Sequence, residues 1–162
     1  MVTLLATMLV GQLYSKELSV GFARETSIAP PLPISSKSKF AVSVYNGTKV
    51  ATKILSDECS WGYESLSFEL KSPSGKITSI TRKPKEWYRN FPMGKPLESI
   101  GMDIRRIDLG DKTWQGIPRS TGETTGWQIK AKLTVAADKL ISGEGFWTGK
   151  IESGWTPARL TD

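Results

Sequence analysis

The chain has no histidine and a single cysteine, Cys59. Those two shortages remove many function classes. Without histidine there is no Ser-His-Asp or Cys-His relay and no imidazole ligand for a metal. One cysteine excludes an intrachain disulfide and a Cys/His zinc cluster. No apolar run approaches the ~20 residues that a membrane-spanning helix requires. Convincing helical periodicity is also missing from every window of a dozen residues. What is present is a chain of 162 residues with 38% hydrophobic side chains, a length that suits one core-forming domain. The expectation is a non-enzymatic domain with no cofactor and no metal.

The first fourteen residues, Met1 to Tyr14, carry no charge and contain about ten apolar side chains. This matches the apolar part of a secretory signal, although no Lys or Arg precedes it and no small-x-small cleavage pattern follows. A buried first strand is the alternative. Residues 1–15 are therefore set apart from a domain spanning 16–162, with a secreted or periplasmic address.

Beyond that segment the pattern has period two. Leu18, Val20 and Phe22 alternate with polar or small residues, as do Phe40, Val42 and Val44, then Leu66, Phe68 and Leu70. Trp127, Ile129, Ala131, Leu133 and Val135 make the clearest strand. Later strands are expected around Trp147 to Ile151 and Trp155 to Leu160. Pro30, Pro31 and Pro33 mark a loop over 27–36, and Pro84, Pro92 and Gly94 a turn-rich stretch over 83–95. Asn46-Gly47 suits a tight hairpin, and it also opens a glycosylation sequon, Asn46-Gly47-Thr48. Pro73-Ser74-Gly75 predicts a second hairpin turn. Ile100, Met102 and Ile104 fall out of phase with Ile107 and Leu109, which a bulge at Arg105-Arg106 would repair. One helical turn fits 85–90 or 136–141. The sum is an all-β chain, an antiparallel immunoglobulin-like β-sandwich of about seven to nine strands.

Catalytic constellations are weak. Ser36 and Lys39 have Ser-x-x-Lys spacing, but in a polar lead-in to a strand and not at a helix start. Asp108 and Asp111 flank a turn that has two acids, thin evidence for calcium. Glu58 beside Cys59 would raise the thiol pKa, so a passive thiol is expected. Six tryptophans are more informative. Trp127 and Trp147 fit strand faces, whereas Trp61, Trp87, Trp114 and Trp155 sit in turn-like segments where rings either plug the core ends or stack on sugars.

Charge is sharply localised. There are 22 Lys and Arg against 16 Asp and Glu, a net +6. Residues 1–70 and 96–162 are each neutral, with six and nine charges of either sign. Residues 71–95 hold seven basic side chains against Glu86 alone. Within them Arg82, Lys83, Lys85, Trp87, Tyr88 and Arg89 interleave cations with rings, a pattern suited to an anionic polymer or an acidic protein face. Nucleic acid is a poor partner for an exported chain.

Cys59-Ser60-Trp61-Gly62-Tyr63-Glu64, Ser67-Phe68-Glu69-Leu70, Asn90-Phe91-Pro92 and the ending 146–155, with its Trp147-Thr148-Gly149-Lys150 run, resemble exported immunoglobulin-like proteins of bacteria. The resemblance spans roughly residues 16–160. It implies a sandwich and export, and it implies no activity. Thr124-Thr125-Gly126-Trp127, Gly143-Glu144-Gly145 and Arg82-Lys83-Pro84 are similar in composition to the three loops of chagasin-like protease inhibitors, but their order along the chain differs. The expected function is a binding module using its basic-aromatic loop. The alternatives are an accessory subunit docking through a Trp-rich face and a loop-presenting protease inhibitor.

Overall fold

The computed structural model describes residues 18–23, 31–119 and 124–161. The apolar start of the chain, on which the export expectation rests, lies outside them. Strands account for 49% of the structure, so the chain is all-β. In chain order the elements are β1 (Leu18–Ala23), β2 (Leu32–Ile34), β3 (Lys39–Asn46), β4 (Thr52–Leu55), α1 (Ser60–Tyr63), β5 (Leu66–Lys71) and β6 (Ile77–Arg82). There follow β7 (Gly94–Leu97), β8 (Met102–Asp108), β9 (Trp114–Gln115), β10 (Trp127–Val135), α2 (Lys139–Gly143), β11 (Gly149–Glu152) and β12 (Thr156–Leu160).

Three sheets result. One has the order β1-β3-β8, and β4 pairs with β7 by itself. The largest runs β2-β12-β10-β5-β6-β9, with β11 also on β10, and it curls like half a barrel. Its axis is β10, whose alternating residues put Ile129, Ala131, Leu133 and Val135 inside and leave Lys130 and Lys132 outside. One edge of β10 takes β5. The other takes β12 along Trp127 to Ile129 and β11 along Lys132 to Val135. Ser153 bridges the interruption. Its N–H donates to the Ala131 carbonyl at 2.9 Å and its hydroxyl accepts the Ala131 N–H at 2.9 Å, so Ala131 loses no ladder bond.

The inner faces of the two larger sheets share one core. Its ring cluster joins Phe22 of β1 and Phe40 of β3 to Phe68 of β5 and Trp114 of β9, with centroids 5.3–6.2 Å apart along its contacts. The β5–β6 hairpin turns as its sequence requires, with Gly75 at φ 87° and the Ser72 N–H bonded to the Lys76 carbonyl.

Several expectations need correction. Asn46-Gly47 makes no hairpin, because β4 pairs with β7 and not with β3. The Asn46 side chain is instead a buried hub. Its amide nitrogen donates to the carbonyls of Val50, Leu97 and Glu98 while its oxygen accepts from the N–H and hydroxyl of Thr48. A fully buried amide with five bonds also removes the glycosylation reading. Pro33 sits within a strand, which an edge strand paired on one side tolerates. The 83–95 stretch yields β7 at its end, with Pro96 again in a two-stranded pair. No bulge interrupts β8, whose register with β3 is unbroken from Met102 to Asp108. Met102 and Ile104 point outward, and Asp103, Arg105 and Ile107 point in. The inward charges are tolerable because Asp103 pairs with Arg105 at 3.2 Å and with Lys95 at 2.7 Å. The helical turns lie at 60–63 and 139–143, not at 85–90.

Candidate functional site

The basic-aromatic stretch leaves the end of β6. Its first cation, Arg82, is only 13% exposed and is held on every side. The guanidinium lies 4.1 Å from the centroid of the Trp114 ring and 5.1 Å from that of Tyr63. One nitrogen donates to the Thr113 hydroxyl at 2.6 Å and the other to Asp57 at 3.1 Å. Arg82 is therefore a structural member of the segment. Trp87 meets Tyr63 edge-on at 5.7 Å, and Lys85 lies over Trp87 at 4.4 Å. The order is a ladder of alternating rings and cations: Trp114, Arg82, Tyr63, Trp87, Lys85. The Trp87 indole N–H is buried without an acceptor, a cost that the packing of its ring must offset.

The ends of the segment are fastened as well. The Lys83 N–H donates to the Thr113 carbonyl at 2.6 Å, and the Met93 carbonyl accepts the Ser56 N–H at 2.8 Å. Between them, Asn90 caps α1 from a distance. Cys59 occupies the N-cap position, and its side chain makes no capping bond. The Asn90 carboxamide supplies the acceptor, taking the Ser60 N–H at 2.9 Å and donating to the Ser60 hydroxyl at 2.6 Å. Cys59 itself is fully buried, with its thiol against the carbonyls of Ser56 and Met93.

This clamping leaves a defined set of groups in water. Lys83, Lys85, Glu86, Tyr88, Arg89 and Phe91 are exposed, Tyr88 completely so and Phe91 to 69%. Of the six residues singled out from sequence, four are thus presented, while Arg82 and Trp87 hold the segment in place. Among the described residues, Lys83, Lys85 and Arg89 meet no carboxylate at ion-pair distance. Lys39, Lys95, Lys130, Lys132 and Lys150 all do. Sequence reasoning missed Tyr63, Asp57 and Thr113, which come from distant turns and carry no local signal of shared position, and it missed the anchoring role of Asn90 within the segment.

Other candidates are occupied structurally. Lys39 pairs with Asp108 at 2.9 Å across the β3–β8 ladder, away from any helix start. Asp108 also accepts the Gly110 N–H, and these two contacts hold its carboxyl below the usual range. The Asp111 carboxylate accepts the Thr113 N–H. Among the described residues no group of three or more acids or thiols is placed to hold a metal. None of the six tryptophans is exposed: Trp114 is buried and the others are half-buried. The Thr124 and Gly143 loops lie beyond opposite ends of β10, so they do not form one surface. Comparison with known proteins gives no match to any family model, curated protein or solved structure.

Proposed function

We propose that the chain is a non-enzymatic binding module, exported and immunoglobulin-like in architecture, whose 83–91 segment engages an anionic partner. Two larger sheets sharing one core support the sandwich reading, and the uncharged apolar start supports export. The observation that carries the function is the pairing of anchorage with exposure. Three cations without carboxylate partners and two exposed rings project from a segment tied down by Arg82, Trp87 and Asn90. A fastened segment loses little conformational entropy on binding. Unneutralised cations beside rings favour a carboxylate- or sulfate-bearing surface.

The test is retention on an immobilised sulfated glycan. Lys83→Glu/Lys85→Glu/Arg89→Glu should elute at clearly lower salt than Lys37→Glu/Lys49→Glu/Lys139→Glu, which changes net charge equally at exposed sites elsewhere. Equal elution of the two triple variants would refute the reading, since bulk charge alone would then explain retention.

A further inference from the structure

Three pieces of chain meet at the Trp127 end of β10: the turn at 124–127, the strand β12 and the entry to β2. A cavity of about 350 Å³ opens where they meet. The Leu160 N–H donates to the Thr124 carbonyl at 2.9 Å, which draws the turn back to β12, and Gly126 redirects the chain into β10 at φ 76°. The parallel register of Leu32 with Ala158 sets the preceding residues, Pro31 and Pro157, on neighbouring strands. Both prolines are exposed and line the cavity, and half-buried Trp127 lines it too.

The polar lining is uncommitted. Thr125, Gln128 and Arg159 also line the cavity, and among the described residues their side chains have no hydrogen-bond or ion-pair partner. The lining contains no carboxylate. Lys71, opposite Gln128 on β5, adds a second cation nearby, while Glu69 of the same strand is held by Lys130 and Lys132. Each free group has a natural counterpart. A guanidinium takes a carboxylate in two parallel bonds. A threonine hydroxyl and a glutamine amide each both donate and accept, as the hydroxyls of a sugar require. Proline and tryptophan offer apolar surface to the C–H face of a saturated ring. A mainly apolar cavity with a few convergent polar groups is the usual form of a small-molecule site, and about 350 Å³ lies near the lower end of its range of ~300–1,000 Å³.

We infer that this cavity binds one hexuronate ring, with Arg159 on the carboxylate, Thr125 and Gln128 on ring hydroxyls, and Pro31 and Pro157 against the ring face. None of the residues 83–91 lines it, so the site does not rest on the reading of that segment.

The experiment is an amide and side-chain NMR titration of the whole chain with sodium glucuronate, with glucose and with cyclohexanecarboxylate, at ionic strength fixed by chloride. Glucuronate should give saturable shifts at Thr125, Gly126 and the Gln128 carboxamide. It should bind at least tenfold more tightly than glucose, which lacks the carboxylate, and at least threefold more tightly than cyclohexanecarboxylate, which lacks the hydroxyls. Arg159→Gln should weaken both carboxylates at least fivefold. Gln128→Ala should weaken glucuronate and leave cyclohexanecarboxylate unchanged, a split that loss of fold cannot produce. Lys83→Glu/Lys85→Glu/Arg89→Glu should bind glucuronate as the wild type does, so this site and the 83–91 reading fail separately. Shifts that chloride reproduces, equal affinity for glucuronate and glucose, or wild-type affinity in Arg159→Gln would each overturn the inference. So would cyclohexanecarboxylate binding as tightly as glucuronate, or loss of glucuronate binding in the triple variant.

Discussion

Single side chains decide the candidate site. Asn90 is the clearest, since one carboxamide completes a helix start whose own cap residue, Cys59, lacks a competent oxygen. Asn90→Ala should cost about 1 kcal/mol of folding stability, in the range of a lost N-cap. It should also raise amide exchange across 85–91. Asn90→Asp retains an acceptor for the Ser60 N–H and should recover most of the loss in a urea titration. Wild-type stability in Asn90→Ala would show that the cap is dispensable. Arg82 teaches a related lesson: a cation in a basic run became a stacking and hydrogen-bonding unit between Trp114 and Tyr63, a use open to a planar guanidinium.

At the scale of elements, the outer face of β10 is a cross-strand ion-pair network. Lys130 stands opposite Glu69, Lys132 opposite Glu152, and Lys150 also reaches Glu152. Bonds from Lys130 and then Lys150 lower the Glu152 pKa from 4.5 to about 2. Lys132 is the main cause of the lowered value at Glu69, where burial opposes it. Trp155 roofs the network, with Lys130 4.9 Å and Lys71 5.7 Å from its ring centroid. Both carboxylates bind protons more weakly when folded. Their contribution is therefore complete above the unfolded value near 4.5 and lost as pH falls toward 2. Urea midpoints should decline between about pH 5 and pH 2.5, and Glu69→Gln/Glu152→Gln should flatten that decline. Parallel pH curves for the two proteins would exclude the network as its source. β8 makes the complementary point, with charges turned inward at a sheet edge where two exposed apolar residues face solvent.

For the whole molecule, cohesion between the sheets runs through Phe68, which is fully buried and touches the rings of Phe22, Phe40 and Trp114. Phe68→Ala should cost about 3–5 kcal/mol. Because the cluster joins β5 and β9 to β1 and β3, both larger sheets should unfold together in that variant, at one lowered denaturant midpoint seen by every probe. Separate transitions for the two sheets would contradict a shared core. The curl of the large sheet and the turns at the Val135 end of β10 also gather α1, α2 and the start of the 83–91 segment at one end of the molecule.

Local pattern alone determined much of this. Period-two alternation marked the major strands, because a residue pair in a pleated strand must divide between core and water whatever its partners are. Pro73-Ser74-Gly75 marked a hairpin, because Gly75 accepts positive φ at no steric cost. The charge excess in 71–95 was equally legible, being a count. Partnership was not. Which strand β4 joins, whether Asn46 turns the chain or anchors it, and why Asp103 and Arg105 face inward all depend on groups fifty or so residues away. The same holds for the division of six cation-and-ring residues into four presented and two enclosed. Exposure of a side chain is set by what packs over it; Tyr63, Asp57 and Thr113 reach the segment, and Asn90 within it reaches Ser60, only through the tertiary fold.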